Sequence, residues 1–244
     1  MRKRHFIAGL LLPLLFSVSS QAASFEQLCH TLPATPLVTV STLPVVVESG
    51  IAVDDMRSMT IRTTGAESMG ELATVGTTLA DKVWELSYGL SMRADPVSGR
   101  VCYRPAVNVV IGYDPMRISV ASPYRSGTCA HDLIVAHERG HVKIYEDFLP
   151  VAAHAIEDTL RDRLTDRIRF ADSAEAAKAE LTGSVRSLVS QVVKTEMARS
   201  EMLHSRFDSI EESLHLLNAC AGDVRRALDE EVTTWKSAAS GVSE

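Results

Sequence analysis

Two histidines four residues apart flank a glutamate in the segment His137-Glu138-Arg139-Gly140-His141, an H-E-x-x-H pattern. Residues i and i+4 lie one turn apart on a single face of an α-helix, so both imidazoles can bind one ion. Glu138 lies beside that ion, where it can take a proton from the water that zinc activates and pass it to a leaving amine. The segment therefore predicts Zn²⁺ as cofactor, His137 and His141 as ligands, and Glu138 as the general base.

The H-E-x-x-H segment supplies only two ligands, whereas a catalytic zinc usually has three protein ligands and one open position. Downstream candidates for the third ligand are His154, Glu157 and His204. His154 and Glu157 follow Pro150, where we expect a kink or a new helix start that could turn either residue towards the ion. His204 has apolar neighbours in a predicted long helix, so it can face inward. These residues alone leave the choice open.

The elements before residue 125 have the pattern of strands. Val83 to Met92 alternates between apolar and polar residues, and a second alternating run extends from Arg100 to Ile111 after a turn-rich segment. These two runs predict an antiparallel hairpin, and Pro105 indicates an edge or a bulge in its second strand. The segment 23–125 is therefore predicted to be a β-rich half with antiparallel strands.

The residues after 125 have the pattern of helices. An apolar stripe at helical spacing, which includes His137 and His141, predicts a helix over His131 to Phe148. A second amphipathic stretch follows to Arg169, then a long helix from Val185 to Leu217 and a short one from Ala221 to Trp235. We therefore predict one α+β domain over 23–236, with a helical half over 126–236 and a tail over 237–244.

The N-terminus has the three parts of a secretory signal peptide. Basic residues at 2–4 precede a short apolar run, and Ser20-Gln21-Ala22 offers small residues for cleavage after position 22. The apolar run of 11 residues is too short to span a membrane, which takes about 20 residues. Residues 1–22 are therefore predicted to be removed, leaving an exported protein, periplasmic or secreted, without stable membrane insertion.

Export would place the four cysteines in an oxidising compartment, where an even number predicts two disulfides. The pairing that we favour is Cys102–Cys129 with Cys29–Cys220, because the first closes a short loop and the second joins the two ends of the chain. The charge balance, with 31 acidic and 25 basic residues, argues against a nucleic-acid partner, because phosphate contacts need clustered Lys and Arg.

The stretch from His137 to Ile144 resembles the core motif of a family of exported bacterial proteins, the domain of unknown function 922, which is placed among zincin-type zinc proteases. That family has a β-rich half, an active-site helix and a long helical region with a second motif, Y-D-x-x-T-x-H-G. The counterpart here is 198–205, where only the histidine, His204, agrees. The resemblance implies a zincin-like fold, His204 as third ligand, and an edge strand, Val107–Ile111 or Ile118–Ala121, that holds the substrate.

Motif and resemblance together predict a zinc metallopeptidase acting on a peptide or protein substrate. One alternative is a non-catalytic periplasmic binding protein whose zinc site is structural or vestigial. Another is a zinc amidase acting on cell-wall peptides, which would share the site. The sequence does not predict an oligomeric state.

Overall fold

The computed structural model describes residues 23–33, 36–64 and 75–240. The predicted signal peptide therefore lies outside the described residues, as do the last four residues of the predicted tail. In the described ranges, no helix is both long enough and apolar enough to cross a membrane.

Six strands and two short helices make up the described first part of the chain, and helices dominate the second. The strands are β1 (Pro36–Ser41), β2 (Val46–Ile51), β3 (Gly76–Leu79), β4 (Lys82–Ala94), β5 (Val101–Tyr113), β6 (Arg117–Ala121) and β7 (Arg169–Ala171). The helices are α1 (Phe25–His30), α2 (Val53–Thr64), α3 (Cys129–Leu160), α4 (Ala174–Ala198), α5 (Glu201–Phe207), α6 (Ile210–Asn218) and α7 (Asp223–Ser240). The predicted α+β class is confirmed.

The predicted hairpin is present as β4 and β5, which pair antiparallel from Lys82–Tyr113 to Ala94–Val101. The strand β5 is central in its sheet, because β1 pairs with it parallel over 107–112 and β7 pairs with it antiparallel over 101–103. Pro105 falls in the gap between these two partners, so only β4 lies beside it in register. A proline is tolerated there because that side of the strand is locally an edge.

A second, smaller sheet has the order β2-β6-β3. The strands β2 and β6 are parallel, and β3 runs antiparallel to β6. The expectation of purely antiparallel strands is therefore wrong, because β1 and β2 each join a strand more than 60 residues later in the chain. Neither predicted substrate strand is an edge either: Val107–Ile111 and Ile118–Ala121 both have a partner on each side.

The site helix α3 runs without a break over 32 residues, through Pro150. The new helix start predicted at that proline is therefore absent. Pro150 is exposed, so the carbonyl that loses its helical hydrogen bond can face water instead. The buried face of α3 packs against both sheets and α4, and contributes Ile134, Leu149 and Ile156 to the main core.

The single long helix predicted to reach Leu217 is instead three helices. α4 ends at Ala198, α5 covers only seven residues, and α6 starts after a turn at Asp208 and Ser209. The Ser209 hydroxyl accepts a hydrogen bond from the backbone N–H of Glu212 and so caps α6. This break turns the chain back over α3.

The structure contains two disulfides, as predicted, but the pairing that we favoured is wrong. The bonds join Cys29 to Cys102 and Cys129 to Cys220. Cys102 lies near the start of β5, and that strand carries the chain about 35 Å away from it before the turn to β6. The short sequence separation from Cys102 to Cys129 therefore does not mean proximity. The second bond joins the first residue of α3 to the turn between α6 and α7.

Candidate metal centre

Three side chains converge on one point beside the middle of α3. His137 and His141 lie one turn apart on that helix, and each side chain is 11% exposed. Asp208 follows the last residue of α5 and directs its carboxylate at both rings. Its Oδ1 atom lies 3.3 Å from His137 Nε2 and 2.9 Å from His141 Nε2. One donor atom from each of the three residues lies within 4.8 Å of the other two.

These donor atoms suit a zinc ion in chemistry and in spacing. Zinc binds imidazole nitrogen and carboxylate oxygen at about 2.0–2.2 Å, and tetrahedral geometry places neighbouring donors about 3.3 Å apart. The two nitrogen–oxygen distances, 3.3 and 2.9 Å, are close to that value. Three protein ligands leave the fourth position of a tetrahedral ion for water or substrate.

The position of Asp208 depends on how closely α5 approaches α3. The Phe207 ring stacks on the His137 imidazole, with centroids 4.9 Å apart, and meets His141 edge-on at 5.0 Å. This approach requires Gly140, because a Cβ atom there would lie 2.3 Å from Phe207 Cζ. The Phe207 ring therefore occupies the space that a side chain at position 140 would need.

Each site histidine has a second polar contact on its other ring nitrogen. His137 Nδ1 lies 3.4 Å from Glu212 Oε1, and His141 Nδ1 lies 2.9 Å from His204 Nδ1. Partners of this kind fix the orientation and the tautomer of a histidine that binds metal through the opposite nitrogen. His204, the predicted third ligand, is therefore next to the site but outside the ligand group. Its contact is to the nitrogen of His141 that faces away from Asp208.

Burial determines the charge state of His204. Burial and the nearby His141 lower the pKa of His204 to about 4, so its imidazole is neutral at neutral pH. A neutral His204 can accept a hydrogen bond at Nδ1 from the Nδ1–H of His141, and His141 Nε2 would then offer its lone pair to a bound metal ion. His204 Nε2 is then the protonated nitrogen, and it is buried without a hydrogen-bond partner within the described residues.

Glu138 lies about 100° around α3 from His137 and contacts the strand β3 of the second sheet. Its side chain is buried, and the Thr78 hydroxyl on β3 lies 2.7 Å from its Oε2 and 3.0 Å from its backbone oxygen. Burial raises the pKa of Glu138 above its usual range, and the Thr78 hydrogen bond opposes that shift. Gly76 makes the close approach possible, because a Cβ there would lie 2.9 Å from Glu138 Oε1.

The contacts between Asp208 and the two histidines shift the pKa values of His137 and Asp208 in opposite directions. The hydrogen bond with Asp208 raises the pKa of His137, against the effect of burial. Burial alone would raise the pKa of Asp208, but its hydrogen bonds with His137 and His141 outweigh burial and hold that pKa well below its usual range. Asp208 is therefore a carboxylate, as a metal ligand must be.

The two other candidates for third ligand lie elsewhere on α3. Glu157 accepts a 2.5 Å hydrogen bond from Arg161, and His154 pairs with Asp158 at 3.2 Å. The His154 side chain is 78% exposed. Because α3 continues through Pro150, both residues lie about 20 Å or more beyond His141 along the helix.

Asp208 is not among the ligands predicted from the sequence. The sequence predicts one continuous helix from Val185 to Leu217. In such a helix the side chain at position 208 would not be expected to point at His137 and His141. A signal was available in Ser209-Ile210-Glu211-Glu212, an S-x-x-E pattern typical of a helix N-terminus. Such a start at Ser209 places Asp208 in a turn, where an acidic side chain can reach back to another helix.

No family model matches this chain, and no curated protein or solved structure is significantly similar to it. The likeness to the zincin-type family therefore depends on the residues of the motif at 137–144.

Proposed function

We propose that this chain is a zinc-dependent peptidase that acts outside the cytoplasm. The observation that carries the proposal is the position of the Asp208 carboxylate, 2.9 and 3.3 Å from the Nε2 atoms of two histidines that flank a buried glutamate. Asp208 takes the role that the family resemblance implied for His204. Glu138 is outside the group of three ligands, as a general base has to be.

In this proposal zinc, when bound, acts as a Lewis acid on the scissile carbonyl and lowers the pKa of a water molecule. Glu138 accepts a proton from the attacking water and delivers it to the leaving amine. Thr78 holds the Glu138 side chain in both protonation states. Its hydroxyl can donate to the carboxylate, or accept from the carboxylic acid while donating to the Glu138 backbone oxygen.

The strand β3 is the best candidate to align a peptide substrate. It lies at the edge of the second sheet, and it carries Gly76 and Thr78, which both lie against the Glu138 side chain. An extended peptide that pairs with an edge strand gains backbone hydrogen bonds regardless of its sequence. A peptide on this edge would lie beside Glu138, whereas the two strands predicted from the sequence are internal.

The number of ligands favours catalysis over a structural role for the metal. A structural zinc usually has four protein ligands, whereas the described residues offer three at this site. Glu212 does not supply the fourth, because it contacts the Nδ1 atom of His137, on the opposite side of the ring from Asp208.

The two disulfides support an oxidising compartment, and so an exported protein.

The test is Glu138→Gln, which keeps the size of the side chain and removes its basicity. We expect this variant to bind zinc as the wild type does and to lose at least about 100-fold in peptide hydrolysis. Glu146→Gln, an exposed change on the same helix, is the matched control and should retain full activity. A panel of unstructured protein substrates and cell-wall peptides identifies the amide that is cleaved. If Glu138→Gln hydrolyses them as fast as the wild type, the proposal is wrong.

A further inference from the structure

A second cluster of polar side chains lies at the first turn of α3, separate from the metal centre. The Ser49 hydroxyl on β2 lies 2.9 Å from His131 Nε2, and the Asp132 carboxylate lies 3.1 Å from His131 Nδ1. The two contacts use different ring nitrogens of one histidine. The order of groups, hydroxyl to imidazole to carboxylate, is that of a serine–histidine–aspartate triad.

The chemistry of the three groups fixes the direction of the hydrogen bonds. A carboxylate only accepts, so Asp132 selects the tautomer of His131 with its proton on Nδ1. His131 Nε2 is then free to accept the proton of the Ser49 hydroxyl. His131 is buried, with 7% of its surface exposed, which limits competition from water for the imidazole.

Ser49, in contrast, is exposed and lies next to open space. The residue after it, Gly50, has a φ of +81° and is the extra residue in a bulge, because the pairing passes from Ser49–Val120 to Ile51–Ala121. A Cβ atom at Gly50 would meet no described atom within 4 Å. A small substrate could therefore reach the Ser49 oxygen from this side.

The first turn of α3 also supplies a favourable field for acyl transfer. His131 is the third residue of this 32-residue helix, whose N-terminal end begins after the capping residue Thr128. The N-terminus of a helix carries partial positive charge and stabilises nearby anions. It would stabilise the negative charge that develops on a carbonyl oxygen when a serine attacks the adjacent carbon.

We propose that Ser49 is a nucleophile, activated by His131 and Asp132, that hydrolyses small accessible esters independently of the metal centre. The Ser49 oxygen bonds to the carbonyl carbon and its proton passes to His131 Nε2. The ester C–O bond then breaks, and the leaving alkoxide takes the proton from Nε2. Water attacks the acyl-serine, gives its proton to His131, and releases the acid; the proton returns to Ser49.

A fluorophosphonate probe tests this proposal on the wild-type protein. Attack by Ser49 forms a bond from its oxygen to phosphorus and expels fluoride, and peptide mapping by mass spectrometry measures the rate at each serine. Ser98 is an internal control, because it is exposed and its hydroxyl donates to Asp95 but not to a histidine. We expect Ser49 to react about 100-fold faster than Ser98. Equal rates would overturn the proposal.

Three variants separate activation from simple exposure. His131→Gln should lower the Ser49 labelling rate about 100-fold, and Asp132→Asn should lower it about tenfold or more. His154→Gln removes another imidazole–carboxylate pair from the same helix, about 34 Å further along, and should change nothing.

Circular dichroism is used to check that each variant is folded. If His131→Gln does not fold, Asp132→Asn still tests the proposal. The Asp132 side chain is 70% exposed, so its substitution should leave the fold intact. Unchanged labelling of Ser49 in folded Asp132→Asn and His131→Gln would show that the contacts only join β2 to α3.

Discussion

Replacing Gly140 with alanine tests whether the approach of α5 to α3 sets the metal site. The added Cβ would lie 2.3 Å from Phe207 Cζ and 2.8 Å from Cε1, whereas carbon atoms in contact are about 3.5 Å apart. The ring must therefore move by about 1 Å and carry Asp208, the next residue, with it. Ligand distances at a zinc site tolerate only about 0.2 Å, so a shift of this size should break the Asp208 contact.

The expected effects on metal affinity and on fold stability differ in size. Overpacking costs about 1–3 kcal/mol, and the higher helix propensity of alanine returns about 1 kcal/mol, so the free energy of unfolding should fall by no more than about 2 kcal/mol. Zinc affinity should fall more than tenfold, because a ligand is displaced.

The assay is zinc titration against a chromophoric chelator, with urea unfolding of the metal-free protein beside it. Gly183→Ala on α4 is the matched control, because a Cβ there meets nothing within 4 Å. That control should keep its zinc affinity and gain up to about 1 kcal/mol. The reasoning fails if Gly140→Ala binds zinc within twofold of the wild type.

Three further predictions follow from other contacts of the site. Thr78→Val should destabilise the fold by about 1–3 kcal/mol and slow peptide hydrolysis, because the buried Glu138 loses its hydroxyl partner. Thr77→Val on the same strand is the control. If the two variants have equal effects on urea unfolding and on turnover, the prediction is wrong. Replacing Cys129 and Cys220 together by serine should cost about 4–5 kcal/mol in urea unfolding, because the bond closes a loop of 91 residues; a loss below 1 kcal/mol would contradict it. The pKa of His204 is lowered to about 4, so between about pH 6.5 and 4 the unfolded metal-free chain binds more protons than the folded one. The free energy of unfolding should therefore fall as the pH falls across that range. His204→Gln should flatten this dependence of stability on pH.

Local patterns in the sequence predicted the parts of the molecule that depend on neighbours along the chain. The β4–β5 hairpin follows from period-two alternation and a turn, and the site helix follows from its apolar stripe. His137 and His141 share one face because that face is fixed by helical geometry alone. The number of disulfides was also predictable, because four cysteines in a chain that begins with a predicted signal peptide leave few alternatives.

The contacts between distant segments could not be predicted in the same way. The parallel pairings of β1 with β5 and of β2 with β6 depend on the path of the whole chain, and so do both disulfide pairings. Pro150 suggested a helix boundary, but an exposed proline costs too little to end a helix that both sheets and α4 hold in place. Asp208 needed one more local rule, the S-x-x-E pattern that marks a helix start at Ser209.

The most direct test of the central claim is zinc affinity measured on the wild type, Asp208→Ala and His204→Gln. The account predicts about one zinc per wild-type chain, a loss of more than about 100-fold for Asp208→Ala, and a smaller loss of about 10- to 100-fold for His204→Gln, which changes only an outer partner. Asp166→Ala, an exposed change away from the site, should bind normally. Wild-type affinity in Asp208→Ala, or complete loss in His204→Gln alone, would contradict a site built from His137, His141 and Asp208.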